Sequence, residues 1–265
     1  QFTSSEGKLE YVYATSWGVS TRLIGTLIMA HSDDKGLIAP PRLAPIQVVF
    51  VPLGRDAESR EKTYAVADDL AKKLGRTLWS GPELSPARYE VPELEHPMGL
   101  PIRTKVDKRE KESPGFKFND WELKGACIRI EIGPKDLESE SCMMAIRDTG
   151  EKVSVPLGEI LERIPGELDA MQRRLYAKAQ EFQKAQTRRV DSWEEFEKAF
   201  EGEGGAGLVL AHWDGTAETE AEIAELTKAT IRCLTFEPDP EDLQPGTCVR
   251  SGKPSARRVI FAKAY

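Results

Sequence analysis

The sequence predicts an α/β protein with a mixed sheet flanked by helices, followed by a small α/β domain at the C-terminal end. Three observations carry that expectation. The run Ile46-Gln47-Val48-Val49-Phe50-Val51 has the composition of a strand buried on both faces, and residues 56–74 after it repeat their apolar positions at helical spacing. Strand and helix signals then alternate up to a hairpin pattern centred on Asp148-Thr149-Gly150-Glu151. Beyond residue 190 a second, shorter set of strands surrounds one helical segment.

In chain order, residues 1–44 read as strand, turn and helix, with a β-rich run from Tyr13 that turns through Gly18 into an apolar helix near Arg22. Pro40-Pro41-Arg42-Leu43-Ala44-Pro45 is a stiff extended connector that ends helical propensity, so a boundary belongs there. After the β-α opening, residues 78–101 read as proline-rich and irregular. A strand at 102–106, a helix at 115–123 and strands at 127–132, 142–147 and 152–155 follow. Residues 158–163 and 167–187 form a polar helical connector with Leu168, Met171, Leu175 and Ala179 at three-to-four spacing. Asp191 is suited to cap the next helix, which residues 201–207 end. Strands at 208–212, 231–236 and 259–262 then surround a helix at 217–227.

Composition limits what such a chain can do. At 265 residues there is room for two domains, and 40% hydrophobic with 31% charged residues is a globular composition. No apolar run approaches the roughly 20 residues of a membrane-spanning helix. No signal-peptide pattern opens the chain; it starts on Gln1 rather than Met, and we expect the natural product to extend further upstream. A net charge of −7 excludes an electrostatic blanket for nucleic acid, so any RNA contact must be local. Basic residues do cluster at 103–109 and 250–258. Cys127, Cys142, Cys233 and Cys248 show no close pair, which indicates neither a disulfide framework nor a redox motif and fits a reducing cytoplasm.

The stretch Thr15-Ser16-Trp17-Gly18-Val19-Ser20-Thr21-Arg22-Leu23-Ile24-Gly25 resembles motif 3 of class II aminoacyl-tRNA synthetases, in the form found in prolyl-tRNA synthetases. An arginine at a strand-to-helix junction suits that chemistry, because a rigid guanidinium can clamp the phosphates on which charge develops during ATP activation. The resemblance continues through His31-Ser32-Asp33-Asp34-Lys35-Gly36-Leu37, the proline-rich connector, Pro114-Gly115-Phe116-Lys117-Phe118-Asn119-Asp120-Trp121-Glu122-Leu123-Lys124-Gly125 and the ending Val259-Ile260-Phe261-Ala262-Lys263-Ala264-Tyr265. The order is similar to that of archaeal and eukaryotic-like prolyl-tRNA synthetases from motif 3 onward.

That resemblance implies the end of a class II catalytic antiparallel sheet at 1–44, an anticodon-binding domain at 45–156, a connecting helical region at 157–190 and a C-terminal domain at 191–265. The implied activity is a proline–tRNA ligase, a homodimer as the complete enzyme, that joins proline to tRNA-Pro with ATP and Mg2+; the alternative is a non-catalytic tRNA- or RNA-binding module derived from the same domains. Ser16, Trp17, Gly18, Ser20 and Arg22 match ATP and prolyl-adenylate contacts, with Thr15 beside them. Motifs 1 and 2 are absent, so the printed chain is not expected to activate proline alone, and no catalytic residue is assigned.

Guanine presents two donors and an acceptor on its Watson-Crick edge, which a carboxylate and a cation can read together. Glu122, Arg129, Lys135 and Asp136 match positions that read the two guanines of proline anticodons, Phe118 matches an aromatic contact to unstacked bases, and Lys152 a further basic contact. Many family members hold zinc at positions that correspond here to Asp214, Thr219, Cys248 and Ser251. One thiol, one carboxylate and two hydroxyls make a poor zinc site, so none is expected, and Cys233 reads as a buried strand residue. Tyr265 matches a terminal aromatic residue whose carboxylate reaches towards the active site. The segment 79–100 is longer and richer in proline than the corresponding family connection.

Overall fold

A computed structural model describes residues 1–82, 99–202, 207–235 and 238–263. The chain divides into two compact units, Gln1–Leu175 and Tyr176–Tyr265. The division falls within a helix rather than at either end of the expected connector. None of the helices described is long and apolar enough to cross a membrane.

The first unit opens with a short antiparallel hairpin of β1 (Phe2–Thr3) and β2 (Leu9–Glu10). The run from Tyr13 to Gly18, expected to be β-rich, forms no strand. A strand is stable only when its backbone groups find a ladder. No described residue pairs with this segment, and Tyr13 and Trp17 lie open to solvent. The helix α1 (Arg22–His31) follows with no buried residue.

Beyond the proline-rich connector, β3 (Val48–Pro52) is buried along its whole length. Alternation sends Val48 and Phe50 into the main core, while Val49 and Val51 face a second cluster with Trp121 and Ala126. Burial on both faces is why the strand reads as an unbroken apolar run. In α2 (Ala57–Leu74), Asp56 accepts from the Ser59 amide as N-cap, and Thr63, Ala67, Leu70, Ala71 and Leu74 are the buried stripe. The strands β4 (Leu78–Trp79) and β5 (Leu100–Pro101) pair antiparallel across the proline-rich segment. Residues 83–98 of that segment lie outside the described residues.

Next come β6 (Thr104–Val106), α3 (Pro114–Leu123), β7 (Ile128–Ile132), α4 (Pro134–Glu138), β8 (Ser141–Ile146) and β9 (Lys152–Pro156). Ser113 caps α3 and Pro114 supplies its first residue. The short α4 was not foreseen; Pro134 and the Asp136 carboxylate, which accepts from the Gly133 amide, start it. The sheet order is β6-β3-β7-β8-β9, parallel across β6, β3 and β7 and antiparallel thereafter. This is the mixed sheet the sequence predicts.

The helix α5 (Ile160–Ala185) runs unbroken through Pro165. Its early turns are a wall of the main core, through Ile160, Ile164, Leu168, Met171 and Leu175, rather than a free connector. Ala179 is exposed, so the apolar stripe ends at Leu175.

The second unit holds β10 (Thr187–Arg189), α6 (Trp193–Ala199), β11 (Leu208–His212), α7 (Ala217–Thr227), β12 (Ala229–Cys233), β13 (Gly246–Thr247), β14 (Pro254–Ser255) and β15 (Arg258–Lys263). A four-stranded mixed sheet, β10-β11-β15-β12, contributes Val209 and Phe261 to a core shared with Phe196 of α6 and Ile223 of α7. The cap of α6 is Ser192, which accepts from the Glu195 amide; Asp191 instead pairs with Arg258. Cys233 is exposed, contrary to expectation. It ends the edge strand β12 just after a register shift between Ile231 and Cys233, and the shift breaks the in-out alternation that suggested burial.

Candidate nucleic-acid interface

The strand register of the first unit gathers four of the candidate residues. Arg129 and Glu131 lie two apart on β7 and so share the sheet face that α3 covers, beside Val49 and Val51 of β3. Arg129 pairs with Ala145 of β8, which pairs with Lys152 of β9, so the two cations stand in one row across three strands with a small side chain between them. From above the row, α3 supplies Phe118 and Glu122, four apart on one helix face.

Contacts tie these side chains together. The Arg129 guanidinium lies over the Phe118 ring, 4.3 Å from its centre, and Lys152 Nζ is 5.5 Å from the same centre. Arg129 Nη1 donates to Glu122 Oε1 at 2.8 Å. Its Nε donates to Glu131 Oε1 at 3.0 Å, and Lys152 Nζ is 3.4 Å from that oxygen. Arg129 is buried, Phe118 and Glu122 are half-buried, and Lys152 is exposed. A hollow lined by Trp121, Glu122, Arg129, Ala145 and Lys152 opens beside them, with Lys35 on its rim. The arrangement offers an aromatic face, a carboxylate and two cations to one flat polar group.

Not all expected residues join this cluster. Lys135 and Asp136 sit on α4, where Lys135 is exposed and Asp136 accepts from the Gly133 amide at 2.7 Å. Ser16, Trp17, Gly18 and Ser20 lie on the exposed segment before α1, and Arg22 is its exposed first residue. Tyr265 lies outside the described residues. Conversely, Glu131 was missed as a site residue although its two-residue spacing from Arg129 on a strand places both on one face.

Two further networks hold the site in place. Asp107, buried after β6, accepts from Trp121 Nε1 at 2.8 Å and from Arg109 Nη2 at 2.7 Å. Burial would raise its pKa, but hydrogen bonds from Arg109 and Trp121 more than offset that and hold it down at about 2. On the other side, buried Arg147 binds Asp33 through both Nη atoms at 2.9 and 2.6 Å, and donates to the carbonyls of Gly36 and Glu122. The Arg147 hydrogen bonds hold the Asp33 carboxyl well below the usual range. Gly36 closes this turn at φ +133°, with the Leu123 backbone where a side chain would project.

In the second unit the four positions matched to a zinc site do come together, but as a hydrogen-bonded clasp. Asp214 Oδ2 accepts from Ser251 Oγ at 2.7 Å and Thr219 Oγ1 at 2.9 Å, and Oδ1 accepts from Thr216 Oγ1 at 2.8 Å. Cys248 Sγ accepts from the Ser251 amide at 3.5 Å. Desolvation pushes the Asp214 pKa up, while the bonds from Ser251, Thr216 and Thr219 outweigh it and leave it well below the carboxylate range. Hydroxyl groups that donate to the carboxylate do not form a zinc donor set. Among the described residues no cluster of three or more His, Cys, Asp or Glu could hold a metal.

Comparison with known proteins follows this geometry. Residues 47–167 match the family described as "Anticodon binding domain", and residues 193–265 match "Prolyl-tRNA synthetase, C-terminal". The chain is 44% identical over its whole length to a protein of Phocaeicola vulgatus and 45% identical to one of Chlorobium phaeobacteroides, both named proline–tRNA ligase. It spans 48% and 50% of their respective lengths. Among solved structures it is similar, at a TM-score of 0.78 and 30% identity, to the prolyl-tRNA synthetase of Cryptosporidium parvum complexed with L-proline and AMP, covering all of this chain and 50% of that one.

Proposed function

From its membership of the prolyl-tRNA synthetase family, whose anticodon-binding and C-terminal domains it carries, we infer that the chain is the anticodon-reading portion of a proline–tRNA ligase. The observation that carries this reading is the convergence of Glu122, Arg129 and Lys152 on one hollow, with both cations lying over the Phe118 ring beside it. A guanine edge is complementary to the Glu122–Arg129 pair: the carboxylate accepts N1–H and N2–H while the guanidinium donates to O6 or N7. Phe118 offers a stacking face, worth about 1–3 kcal/mol per base. Lys152 supplies a cation for the adjoining base or phosphate.

The finer parts of the reading rest on the resemblance of individual motifs. Lys135 and Asp136 would contact the second guanine from α4, Asp136 through the oxygen not used at the Gly133 amide. In the complete protein, Ser16, Trp17, Gly18, Ser20 and Arg22 would contact ATP, held with Mg2+, and the prolyl-adenylate formed from it, and Tyr265 would approach that site. Proline, ATP and tRNA-Pro are the proposed substrates, in a cytoplasmic homodimer without structural zinc.

Filter binding tests the central claim. The 265-residue chain should prefer a transcript bearing a proline anticodon over one with the anticodon guanines replaced. Glu122→Ala and Arg129→Ala should each reduce that preference by about 1–3 kcal/mol. Equal binding of both transcripts by the parent chain would overturn the reading.

A further inference from the structure

We propose that Glu131 is the positioning residue of this cluster, a carboxylate that holds two cations, Arg129 and Lys152, over one aromatic ring. The inference rests on the reading of that cluster as the anticodon site. Glu131 Oε1 bridges Arg129 Nε at 3.0 Å and Lys152 Nζ at 3.4 Å, and both cations lie over Phe118. Like charges gathered on one ring repel each other, and the carboxylate offsets that repulsion. It also fixes the guanidinium plane: with Nε turned to Glu131, Nη1 is aimed at Glu122.

Lys152 depends on Glu131 still more. Its side chain is half exposed on a flexible four-carbon stem, and water would otherwise compete for its ammonium. The Glu131 side chain is only 13% exposed, which makes the carboxylate a support beneath the ring rather than a group presented to solvent. Ala145, between the two cations in the strand row, leaves the space in which they converge.

The sign of the effect separates positioning from simple charge. Removing a negative charge from an RNA-binding face should, by electrostatics alone, tighten binding to every RNA. Positioning predicts that Glu131→Gln weakens the proline-anticodon transcript about tenfold while the guanine-replaced transcript binds as before or more tightly. Glu131→Asp keeps the charge but withdraws it by one methylene, and it should lose preference in the same direction. This second variant carries the test if the thermal midpoint shows that Glu131→Gln does not fold.

Filter binding of the 265-residue chain to both transcripts, with Arg129→Ala in parallel, decides the matter. Loss of preference in both Arg129→Ala and the Glu131 variants supports the proposal. If Arg129→Ala loses the preference and folded Glu131 variants keep it, the positioning role is overturned and the anticodon reading stands. If Arg129→Ala itself keeps the full preference, the anticodon reading falls and the proposal with it.

Discussion

Asp107→Asn should expose how α3, the helix that carries Phe118 and Glu122, is fastened. The Asp107 carboxylate is almost wholly buried and accepts from Trp121 of α3 and from Arg109, which also reaches Asp120 of the same helix at 2.8 Å. Its pKa falls from 3.8 to about 2 on folding, so the charged form is favoured in the folded protein. A lowered folded pKa contributes stability that is fully present above the unfolded value and is lost as pH falls through the folded one. The difference is worth about 2 kcal/mol at neutral pH, and about half of it is gone at pH 3. Asparagine does not titrate in this range, so the variant lacks this contribution at every pH. Urea unfolding at pH 7, 5, 4 and 3 should therefore show a gap of about 2 kcal/mol that narrows by about 1 kcal/mol between pH 5 and pH 3. A gap of constant size across that range would refute the argument that an ionised, paired Asp107 anchors the helix.

Three more outcomes test the second unit and the thiols. Asp214→Asn should lower stability by about 1–2 kcal/mol, as expected when charge-assisted bonds become neutral ones, and denaturant titration would detect it. Elemental analysis should find well under one zinc per chain, with no change in thermal midpoint on adding a chelator; stoichiometric zinc would contradict the clasp. Burial pushes the thiols of Cys127 and Cys142 up to about 12, Cys248 is buried, and Cys233 is exposed. A disulfide reagent should accordingly titrate one thiol rapidly in the native protein and four after denaturation, with Cys233→Ser removing the rapid one.

What the sequence determined by itself is the local order. Apolar periodicity located β3 and α2, the helical segment 115–123 located α3, and the segments 208–212 and 217–227 located β11 and α7, because these elements are set by residues within a few positions of one another. Recurrent motifs supplied the family and nominated Phe118, Glu122, Arg129 and Lys152. Tertiary structure decided everything that depends on a partner distant in the chain. The run from Tyr13 has strand composition, but no described residue pairs with it as a ladder, so it forms no strand. Cys233 is exposed by a register shift against β15, and Asp191 is drawn from capping to Arg258. The convergence of Arg129 and Lys152 follows from the β7-β8-β9 register, and Glu131 acquires its role only because both cations lie within reach of one oxygen. Composition can nominate a charge, but only packing across the sheet determines which charges share a ring, since that energy depends on distances the linear order does not contain.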